Sequence, residues 1–600
     1  MNGFGSIVVL RRGVAFLLFA FLVSAAAYSQ SDAAPPSSST PAPKGEFDGP
    51  AELPRVHVAS SLSATPAPGK TVTVHAGDNL QQALTDAACG DTLQLQAGAT
   101  FTGKFVLPDK PCDDAHWIIL RTSAPDSKLP PEGTRLTPCY AGVASLPGRP
   151  SLHCGSTENV LAKIESDNKG GAGPITYAKG ANHYRFLGLE ITRAVSPAAV
   201  YNLVGPTGPA DHIVFDRMWI HGTPQDETGR GIMLSHTRYI AVVDSFFTDF
   251  HCVAKSGACV DSQSVSGGLG DDPMGPFKIV NNFLEAAGEI IIFGGGGATT
   301  SPSDIEIRHN HMFRPTSWKA GAADFVGGRD GHPFIVKNLF ECKNAQRVLF
   351  EGNILENVWG GFSQAGFAIL LTPKNQANKC PACRVNDITI RYNRVAHMAS
   401  GMQIGNGLSD AGGAAADGGR YSIHDLVFED IAGRDAVGNG AFVQLSASGP
   451  PLHDVQLDHI TAFPPRVLFN LGVRVTIPKI SNFVFTNNLV SMGLMGITST
   501  GGGAENCATQ ARRQGLTGLL GNCFTNATVT HNAVVGGAGD WPKGNLSVKN
   551  VQAVGFVSAE KDRVLDFRLD AHSNLKGAGS DGKDIGADVA AINAATAGAD

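Results

Sequence analysis

Charge is scarce in this chain of 600 residues: Asp, Glu, Lys and Arg together make up 17%. Lys and Glu, which build the solvent-facing sides of helices, are thin throughout, and this excludes a mainly helical protein. The net charge of −6 leaves no global basic footprint, so nucleic acid is not an expected partner. Beyond residue 23 no stretch is long and apolar enough to anchor the chain in a membrane. Cys380-Pro381-Ala382-Cys383 has no second Cys-x-x-Cys and no thioredoxin-like surroundings, which favours a structural loop over zinc or redox chemistry.

What the chain does have is a repeat. Phe277-Lys278-Ile279-Val280-Asn281-Asn282 is apolar, any, apolar, any, any, Asn, and it returns ending at Asn310, Asn353, Asn393, Asn488 and Asn532. Apart from a wider gap after Asn393, the copies lie 28 to 44 residues apart, a period that signals a solenoid. Weaker copies at Ile213–Phe215, Ile240–Val242, Leu426–Phe428 and Val455–Leu457 keep the strand and lose the Asn. Each copy alternates like a short strand, and the Asn is expected at the turn, where its amide can bond to its equivalents in stacked copies. Further apolar runs, such as Ile290–Phe293 and Phe367–Leu371, add a second or third strand per repeat. Gly 72 and Pro 34 supply the turns. Solenoids need capped ends, and Asp78 or Asn79 can start a short helix whose stripe is Leu80, Ala83, Leu84 and Ala87.

Arg11-Arg12, the apolar run Gly13–Val23 and Ala25-Ala26-Ala27 read as a signal peptide over 1–27, which implies a secreted or periplasmic protein. Residues 28–69 are rich in Ser, Pro and Ala and read as a flexible tether, with the folded domain over 70–596. Eleven cysteines suit an oxidising compartment. Local pairs suggest Cys89 with Cys112, Cys139 with Cys154, Cys252 with Cys259 and Cys507 with Cys523. Cys380 and Cys383 pair together or with partners elsewhere, and Cys342 is the odd thiol.

These repeats resemble the right-handed parallel β-helix superfamily of pectate lyases. The resemblance implies an all-β fold, a single-stranded right-handed parallel β-helix with an N-terminal capping helix, and a terminal coil near 566–587. It also implies action on a polysaccharide, by a monomeric exported protein with no membrane partner once the leader is removed. An acidic polysaccharide cleaved by β-elimination is the leading expectation. A non-catalytic glycan-binding protein is the alternative, and a polygalacturonase-type hydrolase the third. Asp271-Asp272 is present for the hydrolase, but Gly-His-Gly is not.

Elimination needs a base and a cation that stabilises the developing charge. Glu341-Cys342-Lys343-Asn344-Ala345-Gln346-Arg347-Val348 is similar in rhythm to the stretch around the catalytic Lys of the chondroitinase B and alginate lyase family. Lys343 is therefore the expected base, with Arg308 and Lys337 as catalytic companions lowering its proton affinity. The family's Arg one coil later has no counterpart in Phe367–Leu371. From Asp304 to Arg347, seven Lys/Arg stand against five Asp/Glu, which suits an anionic glycan. Trp318, Trp359 and His221 are substrate-binding candidates. Asp261, Glu285, Glu289 and Glu341 are candidate calcium ligands, because stacked carboxylates about 4.8 Å apart can share an ion.

Overall fold

The computed structural model of the protein describes residues 45–600 except 254–258, 363, 512–514, 538 and 561–562. The expected signal peptide, 1–27, lies outside the described residues. The repeat hexapeptides form strands because their alternating apolar residues stack between coils. Ile240, Phe277, Ile305, Val348, Ile388, Tyr421 and Val455 occupy one register column. All are buried in one core that runs from Val74 to Val529. A coil such as 277–293 carries three strands, Phe277–Val280, Phe283–Glu285 and Ile291–Phe293. The first two belong to a sheet of 27 strands, the third to a sheet of 12. Every pairing within these two sheets is parallel, so the molecule is a parallel β-helix. The expected helix is Leu80–Asp86. Asn79 caps it by accepting from the Gln82 amide, and Leu80 and Leu84 enter the main core.

The asparagines form the ladder that the repeat implies. The Asn310 carboxamide oxygen accepts from Asn282 N and Nδ2 at 3.0 and 2.9 Å, Asn353 from Asn310 at 3.0 and 3.0 Å, and Asn393 from Asn353 at 2.8 and 3.0 Å. A second run joins Asn488, Asn532 and Asn545. Between the runs the same column holds Leu426 and Ile460. The left-handed turn geometry falls one residue earlier than expected, on Asn281, His309, Gly352, Tyr392, Asn487 and His531. The ladder Asn is thereby turned inward rather than placed in the bend itself. Asn353→Ala strands the two Asn310 donors in the interior and is expected to cost about 1–3 kcal/mol. An unchanged denaturation midpoint would refute this.

Two segments depart from expectation. From Gly45 the Ser/Pro/Ala-rich stretch is not a free tether but lies along the outside of the coils. Phe47–Asp48 pairs antiparallel with Ala51–Glu52. Asp48 accepts from Arg391 Nη1 at 2.7 Å and meets His424 Nε2 at 3.1 Å. The Glu52 amide donates to Asp387, and the Arg55 amide to Asp304. Arg185 donates to Ser60 O and Thr65 Oγ1, and Trp117 N to Pro66 O. The Asp48 carboxylate paired with Arg391, and backbone groups of the stretch bonded to side chains and backbone of different coils, outweigh what composition suggests. At the other end, the last parallel rung is Leu546–Val548. The alternation in 566–569, read as a terminal coil, instead builds an antiparallel hairpin of Phe556–Glu560 with Arg563–Leu569. Alternation buries one face without specifying the partner strand. The chain then turns back, with helix Val589–Thr596 leading to Ala597 and Ala599, whose carbonyls receive His309 and Arg135.

The docked N-terminal segment should be pH-sensitive. Burial would raise the Asp48 carboxyl, but His424 and Arg391 hold it at about 2. Burial would lower His424, but Asp425 and Asp48 push it up to about 9. The raised histidine stabilises docking fully below its unfolded value of 6.5, and that contribution disappears as pH rises through about 9. The depressed carboxyl contributes above 3.8 and is lost as pH falls through about 2. Hydrogen-exchange protection factors of amides 51–55 should be flat near pH 5–6 and fall on approach to pH 9. Equal protection at both ends of that range would count against the network.

Five disulfides join Cys89–Cys112, Cys139–Cys154, Cys252–Cys259, Cys380–Cys383 and Cys507–Cys523, leaving Cys342 as a buried thiol. Such a set fits an extracellular protein. No helix among the described residues is long and apolar enough to cross a membrane.

Candidate functional site

The entry edge of the 12-stranded sheet gathers five of the expected residues. Asp261 precedes the strand Gln263–Gly267, Glu289 precedes Ile291–Phe293, and Lys337 and Asn338 precede Phe340–Cys342. Glu341 lies within that last strand, opposite Ile292 on one side and Leu370 on the other, and Lys343 follows it. The inward neighbours Val265, Ile291, Phe340 and Ile369 stack in the core and fix the register. The polar residues are therefore held by a rigid wall.

Within the cluster, Lys337 pairs with Asp261 and, at 3.4 Å, with Glu289. Lys343 pairs with Glu341 at 3.0 Å. Gln263 Nε2 donates to Glu289 at 2.8 Å and Asn338 Nδ2 to Glu341 at 3.0 Å. Glu289 and Glu341 are buried, whereas the Asp261 side chain keeps 34% of its surface and Lys343 23%. Of thirteen buried polar atoms lacking a hydrogen-bond partner among the described residues, Arg230 Nε, Gln263 Oε1 and Asn338 Oδ1 belong to or border this cluster, and a fourth, Glu289 Oε1, is met only by the Lys337 ammonium at 3.4 Å. Such a concentration marks a place where folding needs give way to something else.

Proton affinities diverge here. Burial raises Glu341 above the ordinary carboxylate range, and burial together with Glu289 raises Asp261. Burial also acts to raise Glu289, but Lys337 and Lys343 outweigh it and leave Glu289 below that range. Burial would lower Lys343, but Glu341 and Glu289 more than compensate, and its ammonium is held above its ordinary value. Lys337 is raised in the same way by Glu289 and Asp261. The lowering expected for a lysine base is thus reversed, because carboxylates rather than cations surround Lys343. Calcium does not fit either: the positions facing these carboxylates are taken by two ammonium groups, so no step is routed through an ion.

The other expected residues lie elsewhere. Glu285 faces away from Glu289, buried on the 27-stranded sheet, where Arg149 Nε and Nη2 bond its carboxylate at 2.8 and 2.7 Å and Nη2 reaches Asp249 at 2.6 Å. Three residues separate the two glutamates, but the coil turns between them. Arg308 is on the outer surface, paired with Glu351 at 2.8 Å, in a column that continues through Arg391 and His424. Trp318 is 1% exposed, edge-on to His251 and Phe334 and beneath Arg149. Trp359 is 7% exposed beside Arg314. Neither ring is open to a sugar. His221 stacks on Trp219 at 3.9 Å and meets Glu190 at 3.1 Å, on the 27-stranded sheet. Arg230, Gln263 and Asn338 were not anticipated. They precede inward apolar positions, so only the coil register reveals them. Asp272 of the hydrolase-like pair bonds His236 at 2.7 Å, outside the cluster. A cavity of about 820 Å³ is also elsewhere, lined by Met492, Leu516 and Trp541.

No family profile matches the sequence, and no curated protein matches it. Solved structures do. A pectate lyase is 13% identical and covers 88% of this chain and 97% of its own, with a TM-score of 0.37. A mannuronic-acid-specific polysaccharide lyase from the human gut microbiota is 12% identical over 80% of this chain and 91% of its own, TM-score 0.45. The catalytic domain of an α-1,3-glucanase bound to nigerose is 9% identical over 80% and 70%, TM-score 0.44. The likeness is one of fold.

Proposed function

We propose that this chain is a carbohydrate-active β-helix protein that cleaves an acidic polysaccharide by β-elimination at the cluster of Asp261, Glu289, Lys337, Glu341 and Lys343. The supporting observation is the pairing of two ammonium groups with three carboxylates of unlike proton affinity on one rigid sheet edge. A uronic-acid carboxylate entering the cluster competes with Glu341 for Lys343 and with Asp261 for Lys337. Lys343, which keeps its proton, then neutralises the substrate carboxylate and the charge that develops when the neighbouring carbon is deprotonated. Glu341, ionised while paired with Lys343 and made more basic by burial once released, takes that proton and passes it to the departing glycosidic oxygen as the C4–O4 bond breaks and the C4=C5 double bond forms. The assignment of Lys343 accordingly moves from base to electrostatic partner.

A hydrolase is a second reading, favoured by one observation: Glu341 and Asp261 are displaced upward while Glu289 is displaced downward, the division between acid and ionised partner that glycoside hydrolysis uses. Incubation with a panel of acidic and neutral polysaccharides separates the cases. Ultraviolet absorbance of an unsaturated product supports elimination. New reducing ends without that absorbance overturn it in favour of hydrolysis, and retention without cleavage makes the protein a glycan binder.

A further inference from the structure

On the 27-stranded sheet, outside the polysaccharide cluster, three electron-pair donors lie close together. The strands Asn182–Leu187 and Ala210–Asp216 pair in register, Asn182 against Asp211 and Tyr184 against Ile213. His183 and His212 occupy the intervening positions, each in left-handed backbone geometry with φ of 56° and 49°. That geometry turns both side chains outward at the same height, and the two imidazoles stack with centroids 4.5 Å apart and planes 3° from parallel. Tyr239, in the same position of the next coil, stacks under His212 at 4.4 Å, and Trp117 closes the edge of His183 at 5.0 Å. One carboxylate oxygen of Asp114, one ring nitrogen of His183 and one of His212 all lie within 4.8 Å of one another.

The hydrogen bonds around the rings decide which nitrogen is free. Asn182 Nδ2 donates to the carbonyls of Lys110 at 3.0 Å and Gly180 at 2.8 Å, so its amide orientation is settled. The oxygen that faces His183 Nδ1 at 2.7 Å can only accept. His183 Nδ1 therefore carries the hydrogen, and Nε2 presents a lone pair. That Nε2 lies 3.2 Å from Asp114 Oδ1, another acceptor. His212 repeats the pattern: its Nδ1 faces the Asp211 carboxylate at 2.6 Å, which leaves Nε2 as its lone-pair nitrogen. Both rings are thus oriented from behind, the arrangement in which an outer partner fixes the tautomer of a metal-binding histidine. A single proton can bridge one of these contacts. One divalent ion takes up all three lone pairs only when an imidazole turns out of the stack, because the lone pairs of parallel rings lie in separate planes.

We propose that Asp114, His183 and His212 form a site for a divalent transition ion, with zinc as the ion that a two-imidazole, one-carboxylate set suits. Three protein ligands leave one tetrahedral position for water or an external ligand. The ion joins the loop after Cys112, which carries Asp114, to two successive coils. Calcium is disfavoured, because it takes several oxygen ligands and this set offers two nitrogens. Nothing in the site requires the polysaccharide reading to hold.

The test is calorimetric titration of zinc chloride into the chelator-stripped folded protein, with calcium chloride as the comparison. One saturable equivalent of zinc and no calcium heat are expected. Asp114 is largely exposed and its replacement should not disturb folding, so Asp114→Ala should weaken binding by roughly tenfold or more. Asp211→Asn, which removes the charge behind His212, should weaken it about 10- to 100-fold. His212→Ala should abolish the site, with a zinc-free circular dichroism spectrum and thermal midpoint matching the parent to show that the fold persists. Zinc binding that is absent in the parent, or that survives unchanged in both Asp114→Ala and His212→Ala, overturns the proposal.

Discussion

Lys343→Ala should reduce turnover of the acidic polysaccharide by on the order of 10²- to 10³-fold while leaving the parallel coils intact, because the ammonium acts where charge develops. The side chain is partly exposed and follows the strand rather than filling the core, so its loss removes no packing that the sheet depends on. The effect belongs in kcat. A rise in KM alone would make Lys343 a binding residue, and undiminished turnover would remove it from the mechanism. Glu341→Gln offers a separate reading: it keeps the shape and the Asn338 contact but cannot take a proton, so it should be equally inactive if elimination proceeds through that carboxylate.

The largest stability effect is expected at Arg149. Its guanidinium comes from the irregular insertion between the strands Ile118–Thr122 and Ala162–Ser166 and is held above its ordinary value: burial works against the charge, but Glu285 and Asp249 outweigh it. Arg149→Ala would leave the fully buried Glu285 and the nearly buried Asp249 without a counter-charge, at a cost of about 3–5 kcal/mol. Arg149→Lys should recover only part, since a point charge cannot reproduce the fork that bonds both acids. Urea unfolding of the three proteins gives the comparison. A loss below about 1 kcal/mol in the alanine variant would mean that the acids are neutralised some other way. Lowering the pH should narrow the gap between parent and variant, because the stranded carboxylates can then take up protons.

The fold was legible because its signal is periodic. Two apolar residues and an Asn, repeated at solenoid spacing, encode both the core column and the polar ladder, and the loss of the Asn at Ile460 was visible as well; Leu426–Phe428, read as a copy of the first strand, instead follows it, and Tyr421–Ile423 holds the first-strand register. The site was half legible. Asp261, Glu289, Lys337, Glu341 and Lys343 meet because each stands just before, within or just after the same strand of its coil. Glu285 and Arg308 resemble them in sequence but precede or follow a corner, and a corner reverses which side of the wall a residue occupies. The tryptophans were misread for a different reason. The insertion that carries Arg149 covers Trp318, and nothing local to Trp318 announces that cover. The metal-binding set was invisible in the same way, since Asp114, His183 and His212 are brought together by coil register and by a disulfide-tied loop, not by spacing.

The segment from Gly45 to Gly69 has a mechanical consequence. In a stack whose layers touch only the layers above and below, unfolding can begin at either end and travel like a zipper opening. Here a single ribbon is fastened at Arg391 and His424, then at Asp387, Asp304, Arg185 and Trp117, in that order back along the stack. Between Trp117 and His424 the stack cannot be parted without releasing a fastening to layers hundreds of residues distant in the chain. Pulled from its two ends in a single-molecule force experiment, the protein should therefore yield in a few large steps rather than one coil at a time, and cutting the ribbon from its fastenings should turn those steps into a gradual unravelling.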